Sequence, residues 1–132
     1  MTTPKTLAVF PIVTTPLAAV VNAKAFLDVQ PAAPTGQVKA IHLWSWSQDF
    51  TVPGVDPATL VGGDFVVASY TLPGDTRLRG FVDADDRLNA IAGQGRAGSA
   101  GASDPITSSD GDVDLDGAIS AQDMGQIVDV PA

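Results

Sequence analysis

DFVVASYTL (residues 64–72) runs directly into PGD (73–75) and then TRLRGFV (76–82). The first segment is dense in β-branched and aromatic residues, the composition that suits a pleated, half-buried surface. Pro73 and Gly74 supply turn chemistry, one by presetting φ and the other by tolerating a left-handed backbone. The third segment reads as the second arm of a hairpin, with Arg77 and Arg79 on one face and able to pair with aspartates. That hairpin decides the fold class. A chain built outward from it by further strands is all-β, a small β-sandwich or barrel.

The flanking segments are read in the same way. VKAIHLWSWSQDF (38–50) reads as a strand apolar on both faces. TLAVFPIV (6–13) reads as a first strand, and Pro11 argues for an edge or a bend, because proline donates no ladder hydrogen bond. In VVNAKAFLDV (20–29), Val21, Ala23, Ala25, Leu27 and Val29 alternate with Asn22, Lys24 and Asp28, with Phe26 the exception. This is the period of a strand; a helix capped at Thr15 with Pro16 in its first turn competes. PAAPTGQ (31–37) and VPGVDPATLVGG (52–63) are connections, DADD (83–86) is a turn, and RLNAIA (87–92) is a last short strand. GQGRAGSAGAS (93–103) has the content of a flexible linker. The expected organisation is a β-domain over residues 1–92, a glycine-rich linker over 93–107 and a tail over 108–132. No internal repeat is read.

Composition narrows the function classes. The chain has 132 residues, enough for one compact domain with a sizeable core. Its net charge is −8, all fifteen acidic residues are Asp, and only seven Lys and Arg are present. A surface for nucleic acid is therefore not expected. Without cysteine there are no disulfides, thiolate metal sites or cysteine nucleophiles. No apolar stretch has the length of a membrane span. The segment MTTPKTLAVFPIVTTPLAAVV is apolar, but Pro11 and Pro16 interrupt it, so no signal peptide is read.

The acidic residues gather in SSDGDVDLDGAISAQDM (108–124). Starting at Asp112 puts Asp112, Asp114 and Asp116 at positions 1, 3 and 5, Gly117 at position 6 and Asp123 at position 12. Starting at Asp110 would put Leu115 where the chain must reverse. Ca²⁺ takes six to eight oxygens at about 2.3–2.6 Å, and alternating carboxylates can converge on it from one turn of chain. Position 7 contributes a carbonyl, from Ala118, and position 9 acts through water, which Ser120 can hold. Ile119, at position 8, is expected to face the core.

DVDLDGAISAQD resembles the calcium loop of dockerin modules, a variant of the EF-hand loop, over residues 112–123. The resemblance implies Asp112, Asp114, Asp116, Ala118 (carbonyl), Ser120 (through water) and Asp123 as Ca²⁺ ligands. Modules of that family carry two such loop–helix segments and dock onto a partner protein; one segment is read here.

Other motifs are read as structural. Trp44 and Trp46 share a strand face and could stack on a sugar, but core packing is the favoured reading for them and for His42 on the same face. Asp83, Asp85 and Asp86 lack a glycine turn and are read as a turn rather than a second cation site. GQGRAG (93–98) has the wrong spacing for a dinucleotide loop. No nucleophile elbow, phosphate loop or zinc motif is present, and the chain is read as non-enzymatic. The expected role is a structural protein of an extracellular assembly, such as the capsid-decoration or tail component of a virion surface. Its partners would be other protein subunits in an oligomeric array, with residues 6–21 as the contact segment. A secreted calcium-dependent adhesion or dockerin-like binding module, and a carbohydrate-binding domain using Trp44 and Trp46, are the alternatives.

Overall fold

The computed structural model describes residues 3–45, 52, 54–56, 63–94, 106–115, 119 and 121–131. Three strands, β1 (Lys5–Pro11), β2 (Val38–Ser45) and β3 (Asp64–Thr71), form an antiparallel sheet in the order β1-β3-β2. Among the described residues three helices accompany it: α1 (Pro16–Asp28), α2 (Ala84–Gln94) and α3 (Ala121–Gln126), with a 3-10 turn at Ser108–Asp110. The expectation of an antiparallel β framework holds for the sheet. It does not hold for 16–28 and 84–94, which are helices.

β3 lies at the centre, and from Val66 to Thr71 every residue is buried. Its pairing with β2 runs from Val38↔Thr71 to Ser45↔Asp64, and with β1 from Lys5↔Tyr70 to Pro11↔Phe65, with an irregularity between Thr6 and Ala8. Pro11 thus ends an edge strand, as its missing N–H requires. With both edges of β3 occupied by β1 and β2, residues 76–82 cannot pair with it. The expected hairpin is replaced by a turn, closed by Asp75 N–H donating to the Leu72 carbonyl at 3.1 Å, and further turns to residue 80. Val82 instead makes an isolated antiparallel bridge with Val130.

α1 corrects the strand reading of 20–29. Thr15 caps it by accepting from the Ala18 amide at 3.1 Å, and Pro16 opens it, where a missing N–H costs nothing. Ala19, Ala23 and Leu27, four residues apart, are buried against Ile41, Val66 and Ala68 of the sheet. Val21 and Val29, inward on a strand reading, are 58% and 80% exposed. Residues 6–21, expected to contact other subunits, are used within the chain: β1 pairs with β3 and α1 covers one sheet face.

α2 replaces the expected strand over 87–92. Asp83 accepts from the amides of Asp85 (3.0 Å) and Asp86 (3.4 Å), while Asp86 accepts from the Asp83 amide at 3.0 Å. This is a capping box written with two aspartates. Ala90 is fully buried, whereas Leu88 and Ile91 are 60% and 55% exposed.

The opposite sheet face buries Trp44, Val67 and Leu78 with Val52. His42 is fully buried on the same side, and its Nε2 lies 2.7 Å from the Asp75 carbonyl oxygen. Burial holds its pKa below the usual 6.5. The C-terminal stretch packs on the outer edge of β2. The Ile41 and Leu43 amides donate to the hydroxyls of Ser108 and Ser109, each at 2.9 Å. Those contacts close an edge otherwise open to other strands. Leu72, Val82, Ala90, Val113 and Ile127 form a third apolar cluster that ties α2 and the C-terminal stretch together.

Candidate metal centre

The 3-10 turn prepares the loop that follows it. Thr107 accepts from the Ser109 amide and Asp110 accepts from the Thr107 amide, and Gly111 then leaves the turn at φ 100°. That left-handed backbone favours glycine. Its α-carbon also sits where an added Cβ would lie 2.6 Å from the Ala90 Cβ, so the loop is seated directly on α2.

Asp112, Asp114 and Asp123 converge just beyond Gly111. One carboxylate oxygen from each lies within 4.8 Å of the others. Asp112 is 1% exposed and Asp123 is fully buried, while Asp114 is exposed. Asp123, in the first turn of α3, has its Oδ1 held by the amides of Val113 (3.0 Å) and Asp114 (3.3 Å). Those two bonds draw the start of α3 back over the start of the loop. Position 12 is thereby closed onto positions 1 and 3.

The electrostatics explain what such an arrangement can do. Two carboxylates within 4.8 Å of each other repel by roughly 3 kcal/mol at an effective dielectric of 20. A divalent cation between them converts that repulsion into attraction and into folding free energy. The donor set is all oxygen, the preference of a hard cation such as Ca²⁺ or Mg²⁺. The residues present therefore fit a metal ion of that class.

Three of the six expected ligands, Asp112, Asp114 and Asp123, are brought together. Asp116, Ala118 and Ser120 lie outside the described residues, as do Gly117, Trp46 and most of the glycine-rich segment. Ile119 is buried, as its position required. Trp44 is 6% exposed and packs on Phe65 with ring centroids 6.0 Å apart, as a core residue does.

A second acidic network lies where the sequence predicts only a turn. Arg79 reaches Asp83 at 3.0 Å and Asp86 at 3.1 Å, and its guanidinium lies 4.3 Å from the centre of the Phe81 ring. Asp86 also accepts from the Thr76 amide (3.1 Å) and hydroxyl (2.7 Å). Asp75, 2% exposed, accepts from the amides of Arg79 (2.9 Å) and Gly80 (2.8 Å) and the hydroxyl of Thr71 (2.6 Å). The local signal was Asp83-x-x-Asp86, a capping spacing, which period-two reading of 87–92 obscured. Compared with family models, curated proteins and solved structures, the chain matches none.

Proposed function

We propose that residues 112–123 bind one Ca²⁺ ion and that the ion clips the C-terminal stretch to the body of a non-enzymatic structural protein. The observation that carries this reading is the convergence of Asp112, Asp114 and Asp123 within 4.8 Å, two of them buried. Asp116, the Ala118 carbonyl and Ser120 through water complete the ligand set by loop position. Ca²⁺ is preferred to Mg²⁺ because a loop of this length offers many oxygens with adjustable spacing, whereas Mg²⁺ keeps a compact, water-rich octahedron. Loops of modest affinity fill where calcium is near millimolar, and this supports an extracellular assembly, such as a virion surface, with other protein subunits as partners.

A second reading, a calcium-dependent binding module of dockerin type, is favoured by the direct passage of the loop into α3. Capture of one receptor domain, lost with chelator, would select it. A stoichiometric band in purified particles would select the assembly role.

The test of the clip is a calorimetric calcium titration of the metal-stripped protein. One ion should bind, and Asp112→Ala and Asp123→Ala should each abolish the heat. No heat at millimolar calcium in the folded parent protein would refute the reading.

A further inference from the structure

The two non-glycine residues with positive φ among those described are Leu78 (56°) and Leu115 (59°). A leucine in that region is uncommon. Each stands three residues after a buried aspartate, Asp75 and Asp112, and each aspartate follows a left-handed glycine, Gly74 (φ 83°) and Gly111 (φ 100°). At that same offset Gly80 matches Gly117, Val82 matches Ile119, Ala84 matches Ala121, Asp86 matches Asp123 and Ile91 matches Val128. α2 begins at Ala84 and α3 at Ala121.

The packing is reciprocal. A Cβ on Gly74 would meet the Ile127 side chain at 2.7 Å, and one on Gly111 would meet Ala90 at 2.6 Å. Ala90 and Ile127 are themselves matched positions, so each unit seats its glycine on the other: Gly111 on Ala90 within α2, and Gly74 on Ile127, the residue just after α3. The aspartate opening the third helical position acts alike in both: Asp86 accepts from the Thr76 amide, Asp123 from the Val113 amide. The charges at the loop positions differ. Arg77 and Arg79 stand where the second unit has Asp114 and Asp116.

We propose that residues 74–91 are a second copy of the 111–128 loop–helix, in which the Arg79 guanidinium replaces the cation as partner of the loop carboxylates. The chain then carries one internal repeat, which its residue pattern alone did not display. Arg79 holds Asp83 and Asp86, the residues matched to Ser120 and Asp123. The first loop is closed permanently and forms the platform on which the second closes around its ion. A latent divalent-cation site therefore lies in the first loop, occupied by the Arg79 guanidinium and with Arg77 at a further ligand position. The role given to Arg79 rests on the cation reading of the second loop; the duplication does not.

The test is the calcium stoichiometry of full-length Arg77→Asp/Arg79→Asp, alone and combined with Asp112→Ala, together with amide exchange on the parent protein in calcium and in chelator. The double variant should bind one ion more than the parent, and the combination should keep that added site. A gained ion in the variant with none in the parent would sink the calcium clip and leave this inference standing. A folded double variant that takes up no added ion would overturn it. If the variant does not fold, amide exchange decides. The Arg79 and Gly80 amides should exchange equally slowly in chelator, while those of Val113 and Asp114 speed up about tenfold or more. Equal loss of protection in both loops would overturn the proposal.

Discussion

Gly111→Ala tests the seating of the loop on α2, because the expected cost separates into two parts. At φ 100° an alanine adopts a backbone that disfavours L-residues by about 1–2 kcal/mol. The added Cβ would also stand 2.6 Å from the Ala90 Cβ and 3.0 Å from its Cα. The second contact is with helix backbone and cannot be relieved by a rotamer change. Overpacking of that kind costs about 1–3 kcal/mol. The sum is about 2–5 kcal/mol, a large share of the stability of a domain this size. Two controls isolate the parts. Gly36→Ala has a left-handed φ of 86° and open space, so only the backbone cost of about 1–2 kcal/mol applies. Gly125→Ala has neither a left-handed φ nor a Cβ contact, and inside α3 it should stabilise by about 0.5–1 kcal/mol. The assay is urea unfolding followed by tryptophan fluorescence, with every variant in the same chelator-containing buffer. If Gly111→Ala proves no worse than Gly36→Ala, the loop is not seated on Ala90 and the account of the third apolar cluster fails.

Burial depresses the pKa of His42 below its ordinary 6.5, so the unfolded chain takes up a proton that the fold refuses. Stability should fall as pH drops through 6.5, by at most about 1.4 kcal/mol per unit, and a His42→Gln variant should lose that part of the slope in denaturant titrations. Asp86→Ala leaves the buried Thr76 amide and Arg79 without their shared acceptor, and about 2–4 kcal/mol of stability should go with it in the same urea assay. Thr15→Ala removes the cap of α1 and should cost about 1 kcal/mol, with Thr15→Ser recovering most of it. Adding calcium to the parent protein should raise its melting temperature with ion concentration, an effect that Asp123→Ala removes.

Much of the framework was legible locally. The apolar runs around residues 38–45 and 64–71 are strands, Pro11 marked an edge, and the turn at Pro73–Gly74 lies where its residues placed it. The aspartate spacing, with Gly117 at position 6, picked out three carboxylates that do converge. Cap signals at Thr15-Pro16 and Asp83-x-x-Asp86 were also present, but they were outweighed by alternation among small residues. Ala23 and Leu27 satisfy a period of two and a period of 3.6 equally well, so a short alanine-rich segment cannot choose between them.

The tertiary structure made that choice. One face of the sheet needs a cover, and a stripe four residues apart supplies it while leaving Val21 and Val29 in solvent. Occupation of both β3 edges by β1 and β2 likewise turned 76–82 from a strand into a loop. By itself the sequence determined which residues could make strands, turns and a cation loop, since these depend on neighbours along the chain. Which of two permitted elements formed, and that Gly111 rests on α2 and Gly74 on Ile127 just beyond α3, depended on contacts between segments far apart in sequence. Such contacts follow from which surfaces remain to be buried once the sheet has formed, and no local pattern records that.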